Sequence, residues 1–146
     1  MRWLLGIRTP VINGLWSGTL VSSHDQYSKQ MPVTVEFRQY LSGLRVHFHS
    51  QTSASGSLFA GIVEEDNGMF NIYCVYRNEP MGGARGQLSI HHGTMILTLE
   101  EPNRIEGFYF NYPPERATDG RIHLARVRGV SGHGTSLNER KTSTSN

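Results

Sequence analysis

The chain has 146 residues, with 14 Lys or Arg against 12 Asp or Glu and a formal net charge of +2. That length suits one domain of ~100–150 residues, large enough to bury a core without metal or disulfide support. The charge is too small to mark a basic face for DNA or RNA polymers, no apolar run approaches the ~20 residues that span a bilayer, and the single Cys74 permits neither an internal disulfide nor a zinc pattern.

In chain order, residues 1–13 read as a short lead-in. Its apolar start, Trp3-Leu4-Leu5-Gly6-Ile7, is shorter than a secretory core of ~7–15 residues. A strand is expected over 15–22. Val33, Val35 and Phe37 alternate with polar residues, and so do Leu44, Val46 and Phe48. A further strand is expected over 57–64, with Thr52 to Ser57 ahead of it as a linker or strand entry. Phe70, Ile72, Cys74 and Tyr76 share one face; Leu88, Ile90 and His92 form a short run, followed by Met95, Leu97 and Leu99. Strands over 105–112 and 121–127 complete a set of eight or nine. Period-two alternation places one residue set inside and the other outside. Ser42-Gly43, Asn67-Gly68, His92-Gly93, Pro102-Asn103 and Asp119-Gly120 read as turns between these runs. Residues 128–146, rich in Gly, Ser and Thr, read as a disordered polar tail.

No long 3.6-residue apolar stripe is present. The pattern predicts an all-β fold, a small antiparallel up-and-down β-barrel of eight strands over 14–127, closed because closure removes exposed edges. A barrel of that size is filled by side chains or holds one small ligand.

Catalytic and metal readings find little support. His47 and His49 share a strand face, but a catalytic metal needs about three converging ligands. His92, on the face of Leu88 and Ile90, reads as an inward polar group at a turn. The serines around 52–57 lack a nucleophile elbow, Glu64-Glu65-Asp66 and Glu100-Glu101 read as solvated hairpin ends, and Met81-Gly82-Gly83-Ala84 lacks the Lys-Ser/Thr of a phosphate loop. No catalytic residue, metal or cofactor is expected.

Binding chemistry is better represented. Tyr76-Arg77-Asn78-Glu79-Pro80 puts an aromatic, a cation and an amide at one strand end, and Gly107-Phe108-Tyr109-Phe110-Asn111-Tyr112 is a second aromatic strand. Arg116, Thr118 and Arg121 flank the next turn, and Arg126 lies on the face of Leu124. Aromatics stack on bases, amides read base edges, and Arg holds phosphate oxygens. These residues suit a small flat anionic ligand at a barrel mouth; composition alone favours a plain core with exposed arginines.

Taken in order, Gly14-Leu15-Trp16-Ser17-Gly18, Ser22-Ser23, Ser53-Ala54-Ser55, Tyr76-Arg77-Asn78-Glu79-Pro80, His92-Gly93-Thr94, Gly107-Phe108-Tyr109-Phe110-Asn111, Arg116-Ala117-Thr118-Asp119-Gly120 and Arg126 make the chain resemble the β-barrel domain of the Cap15 family, effectors of bacterial cyclic-oligonucleotide anti-phage signalling (CBASS). The resemblance covers about residues 12–127. It implies a lipocalin-like barrel that binds a cyclic dinucleotide made by a cognate nucleotidyltransferase (CD-NTase). In the family, two transmembrane helices precede the barrel, and ligand binding drives homo-oligomerisation and membrane disruption that kills the infected cell.

On matching positions the resemblance implies Tyr76 and Tyr109 as base-stacking or pocket-wall groups. Asn78 and Thr118 would be hydrogen-bonding groups, and Arg116 and Arg126 phosphate partners. Ser53 and Ser55 stand behind them. Arg126, if buried, needs an anion, either an internal carboxylate or a ligand phosphate. The two helices are missing from this sequence, so the expectation is a cytoplasmic domain, at the bacterial inner membrane when such helices precede it. Membrane contact would come only through those segments, and Trp3 to Ile7 reads as a membrane-proximal remnant. Other readings remain: a stand-alone cyclic nucleotide sponge or sensor, a lipocalin-like carrier of an apolar ligand, a cyclic nucleotide hydrolase, and a filled structural barrel.

Overall fold

The computed structural model describes residues 3–4, 7–81, 90–112 and 117–129. Strands β1 (Trp3–Leu4) and β2 (Ile7–Pro10) pair with each other. Eight further strands follow: β3 (Gly14–Ser22), β4 (Met31–Tyr40), β5 (Gly43–His49), β6 (Ser53–Glu64), β7 (Phe70–Pro80), β8 (His91–Glu101), β9 (Arg104–Tyr112) and β10 (Asp119–Arg126). They form a closed barrel in which each strand lies antiparallel beside its sequence neighbours and β10 returns to β3. This is the eight-stranded meander that the alternation predicts. Each inward set matches its apolar phase: Val33, Val35 and Phe37 on β4, Leu44, Val46 and Phe48 on β5, Phe70, Ile72, Cys74 and Tyr76 on β7, all buried.

The two ends of the barrel differ. At one end the connections are short: residues 41–42 join β4 to β5, Asn67-Gly68 sits in the turn to β7, and 102–103 join β8 to β9. Gly68 has φ +77°, a conformation glycine adopts freely. The lead-in closes this floor. Ile12 is buried, its amide donates to Gln39 Oε1 (3.0 Å), and its carbonyl accepts from Trp16 Nε1 (2.9 Å). The C-terminal ends of β3, β5, β7 and β9 all lie at the opposite end, the mouth.

Some local expectations are corrected and one is resolved. β6 begins at Ser53, so the serine stretch is the strand entry and not a linker. A bulge between Ser57 and Phe59 reverses its phase: Ser53 and Ser55 point inward before it, Ala60 and Ile62 pack on the core after it. His92 is exposed. The inward phase of β8 is set by Gly93, Met95, Leu97 and Leu99, which turns His91 towards the interior and His92 to solvent. Leu88 lies outside the described residues, and Ile90 is exposed. His92-Gly93 and Asp119-Gly120 are not turns but ladder positions, Gly93 beside Tyr76 and Gly120 beside Tyr109. Of the expected polar tail, 130–146 lies outside the described residues.

Candidate functional site

Both misplaced turn glycines make room for aromatic rings. A Cβ at Gly93 would come within 2.4 Å of the Tyr76 ring and hydroxyl, and within 2.6 Å of Asn111 Oδ1. A Cβ at Gly120 would meet the Tyr109 ring at 2.4 Å and the Val21 carbonyl oxygen at 2.1 Å. Each tyrosine ring sits against a glycine of the neighbouring strand, Tyr76 of β7 against Gly93 of β8 and Tyr109 of β9 against Gly120 of β10.

Between these rings and β4 to β6 lies a cavity of about 120 Å³. Leu20, Met31, Phe48 and Met95 form its apolar wall, and Ser53, Ser55, Asn78 and Asn111 bring polar groups to it. The Tyr76 hydroxyl donates to Asn111 Oδ1 at 2.7 Å, and Asn111 Nδ2 donates to Thr118 Oγ1 at 2.7 Å. Asn78 Nδ2 donates to Ser53 Oγ at 3.3 Å, and Ser53 Oγ lies 3.1 Å from Ser50 Oγ. The buried Ser55 Oγ has no hydrogen-bond partner among the described residues. Burial pushes the Tyr76 and Tyr109 phenols above the usual range, with Ser22 partly offsetting this at Tyr109 through a hydrogen bond. Both are therefore neutral hydroxyls at physiological pH.

Of the residues singled out from the sequence, Tyr76, Asn78 and Tyr109 line this cavity together. Ser53 and Ser55 do as well. Thr118 reaches it through Asn111. Arg116 lies outside the described residues. Arg126 is at the opposite end: its guanidinium donates to the carbonyls of Val11 (2.7 Å) and Asn13 (3.1 Å) and lies over the Trp16 ring. The expected internal anion is replaced by backbone carbonyls and an aromatic face, because Arg126 ends β10 at the floor rather than crossing the core. His47 and His49 line a groove on the outside of the barrel instead. Asn111 and His91, neither of them assigned a site role from the sequence, also line the cavity; the odd-numbered phase of Met95, Leu97 and Leu99, continued back to His91, carries that signal for His91.

The described lining contains no Lys, Arg, Asp or Glu. The described lining of aromatics, amides, hydroxyls and the His91 imidazole suits a heterocycle. A phosphate left unpaired there would suffer a large desolvation penalty. The volume also falls below the ~300–1,000 Å³ of pockets that enclose a whole drug-sized ligand. The site therefore fits one base-sized group.

Among the described residues no helix is long and apolar enough to cross a membrane. No curated protein sequence matches the chain. The model of the family described as Cap15, cyclic dinucleotide receptor domain, matches residues 7–126, from the lead-in through the last barrel strand, and the chain belongs to that family.

Proposed function

We propose that this receptor domain senses its cyclic dinucleotide base first, with one base entering the cavity at the mouth and the phosphates remaining outside. The observation that carries this reading is the convergence of Tyr76, Asn78, Tyr109 and Asn111 on one base-sized cavity whose described lining holds no Lys, Arg, Asp or Glu. Tyr76 and Tyr109 supply walls, and Asn78, Asn111 and Thr118 supply polar contacts or their support. Arg116, which follows β9 in sequence, is the candidate phosphate partner; Arg126 serves the floor.

In this reading the domain is the sensor of a CBASS anti-phage effector, downstream of a CD-NTase, and its output is self-association. The outer surface supports that step. Across β6 to β9, Phe59, Val75, Thr94 and Phe110 stand in one outward row, with Tyr73, Ile96 and Phe108 in the next. Phe59, Phe108 and Phe110 are 69%, 48% and 45% exposed. At ~200 Å² per ring they contribute on the order of 300 Å² of apolar surface. Leu58, Val63 and Val75, also exposed, extend the band into the ~300–600 Å² range in which patches mark interaction sites. Membrane disruption, where it occurs, would belong to helices preceding the barrel.

A panel of 3′,3′ and 2′,3′ cyclic dinucleotides read by thermal shift tests the binding step. Ligand at 100 times its Kd stabilises the domain by about 2.7 kcal/mol, and Tyr76→Ala and Asn78→Ala remove that shift. No shift with any member overturns the reading. A second reading, a carrier of a small apolar ligand, is favoured by the absence of a described cation from the lining. It predicts that a hydrophobic fluorophore binds the cavity and that no cyclic dinucleotide displaces it.

A further inference from the structure

Asn111 is held between two hydroxyls. Its Oδ1 faces the Tyr76 phenol and its Nδ2 faces Thr118 Oγ1, both at 2.7 Å. The main chain keeps the pair in register, since the Asn111 amide donates to the Thr118 carbonyl at 2.8 Å. Gly93 leaves the space in which the amide and the phenol meet. A hydroxyl both donates and accepts, and an amide presents oxygen on one side and nitrogen on the other. The same chain of three groups therefore closes in two ways.

In the first, Tyr76 donates to Asn111 Oδ1 and Nδ2 donates to Thr118; the phenol oxygen is then left to accept. In the second, the amide is turned over, Nδ2 donates to the Tyr76 oxygen, Thr118 donates to Oδ1, and the phenol proton is free to donate into the cavity. Both arrangements satisfy every member of the chain, so neither leaves an orphaned polar group.

We propose that Asn111 is a specificity-setting residue that lets Tyr76 read either a donor or an acceptor at the exocyclic position of the inserted base. The amino group of cytosine or adenine takes the first arrangement, and the carbonyl of uracil or guanine takes the second. The inference rests on the base-first reading above. It makes the cavity selective by size and tolerant of edge polarity.

The test uses two matched pairs of 3′,3′ cyclic dinucleotides, di-CMP against di-UMP and di-AMP against di-GMP, with Kd measured by calorimetry. Within a pair that binds, the wild-type protein is expected to hold both members to within about tenfold. In Asn111→Asp both carboxylate oxygens accept, so Tyr76 is held as their donor and can only accept from the base. The within-pair ratio then moves about tenfold or more towards the amino-bearing member, the effect of a donor lost to a buried carbonyl. The added charge also acts on the base edge directly, attracting an amino group and repelling a carbonyl, and that part persists in a Tyr76→Phe background. The shift is therefore expected to be clearly larger with Tyr76 present than without it, a coupling that a merely structural role would not predict.

A wild-type ratio above about a hundredfold overturns the proposal, and it does so even when Asn111→Asp fails to fold. An unmoved ratio in a folded Asn111→Asp also overturns it. Those results leave base-first sensing standing, whereas failure of all four compounds to bind removes both.

Discussion

The guanidinium of Arg126 lies 4.5 Å from the centroid of the Trp16 ring, its cross-strand partner between β10 and β3. The same group donates to the carbonyls of Val11 and Asn13. One side chain thus joins the lead-in, the last strand and the buried Trp16 into a floor, at the end of the barrel away from the mouth. A cation over an aromatic face contributes ~0.5–2 kcal/mol, and hydrogen bonds to a charged donor add to it. Arg126→Ala is expected to destabilise the domain by about 1–3 kcal/mol in urea titration, while the ligand-induced thermal shift keeps its size. A lost shift with an unchanged urea midpoint would place Arg126 at the ligand instead.

Gly93 and Gly120 separate binding from stability. At Gly93 the atoms in the way are the tips of two side chains, Tyr76 and Asn111. Gly93→Ala is therefore expected to displace the Tyr76 ring into the cavity, lowering ligand affinity at least tenfold, or ~1.4 kcal/mol, with a smaller loss of stability. At Gly120 the Val21 carbonyl oxygen stands 2.1 Å from the new Cβ, so backbone must move. Overpacking of that kind costs ~1–3 kcal/mol or more, and Gly120→Ala should show chiefly as a lower melting temperature. Equal losses of affinity and stability in both variants would count against these seats.

Alkaline pH should weaken the fold before it touches anything at neutral pH. Burial pushes the Cys74 thiol from its usual 9.0 up to about 12, and burial raises Tyr76 and Tyr109 from 10.0 as well. Each group holds its proton more tightly folded than unfolded. Its contribution is complete below pH 9 and is lost as pH climbs towards the folded values. The urea midpoint is expected to be flat between pH 7 and 8.5 and to fall steadily above pH 9. Cys74→Val should remove the earliest part of that fall. The native thiol should also resist alkylation at pH 8 and react fully in denaturant, since the thiolate is the reactive form. A midpoint constant up to pH 10.5 contradicts the assignment.

The stacked Phe108 and Phe110 rings, 6.5 Å apart on the outside of β9, are expected to serve association and not ligand entry. The Phe108→Ser, Phe110→Ser double variant should bind cyclic dinucleotide with wild-type affinity and stay monomeric in sedimentation experiments in which the wild-type protein associates. Association that survives the double variant points to another face.

Much of the fold was legible because barrel strands obey period two. The apolar phases of β4, β5, β7 and the Met95 to Leu99 part of β8 could be read directly, and so could closure, since eight short strands with tight turns have few other ways to hide their edges. The misreadings cluster where a residue's reason lies on another strand. Gly93 and Gly120 look like turn glycines in sequence, but their missing Cβ atoms accommodate Tyr76 and Tyr109. Ser53 and Ser55 look like linker, yet they face the cavity ahead of a bulge that no local pattern announces.

By itself, the sequence determined the architecture and the residue types available at the mouth: aromatic rings, amides and hydroxyls, on strands whose alternation sends them inward. It also determined that Arg126 lies on an inward face. Only the tertiary structure decided at which end of the barrel each inward residue falls, because that depends on strand direction and register around a closed sheet rather than on local pattern. That is why Tyr76, Asn78, Tyr109 and Asn111 surround one cavity while Arg126 closes the floor, and why a side chain expected to hold a phosphate holds the lead-in instead.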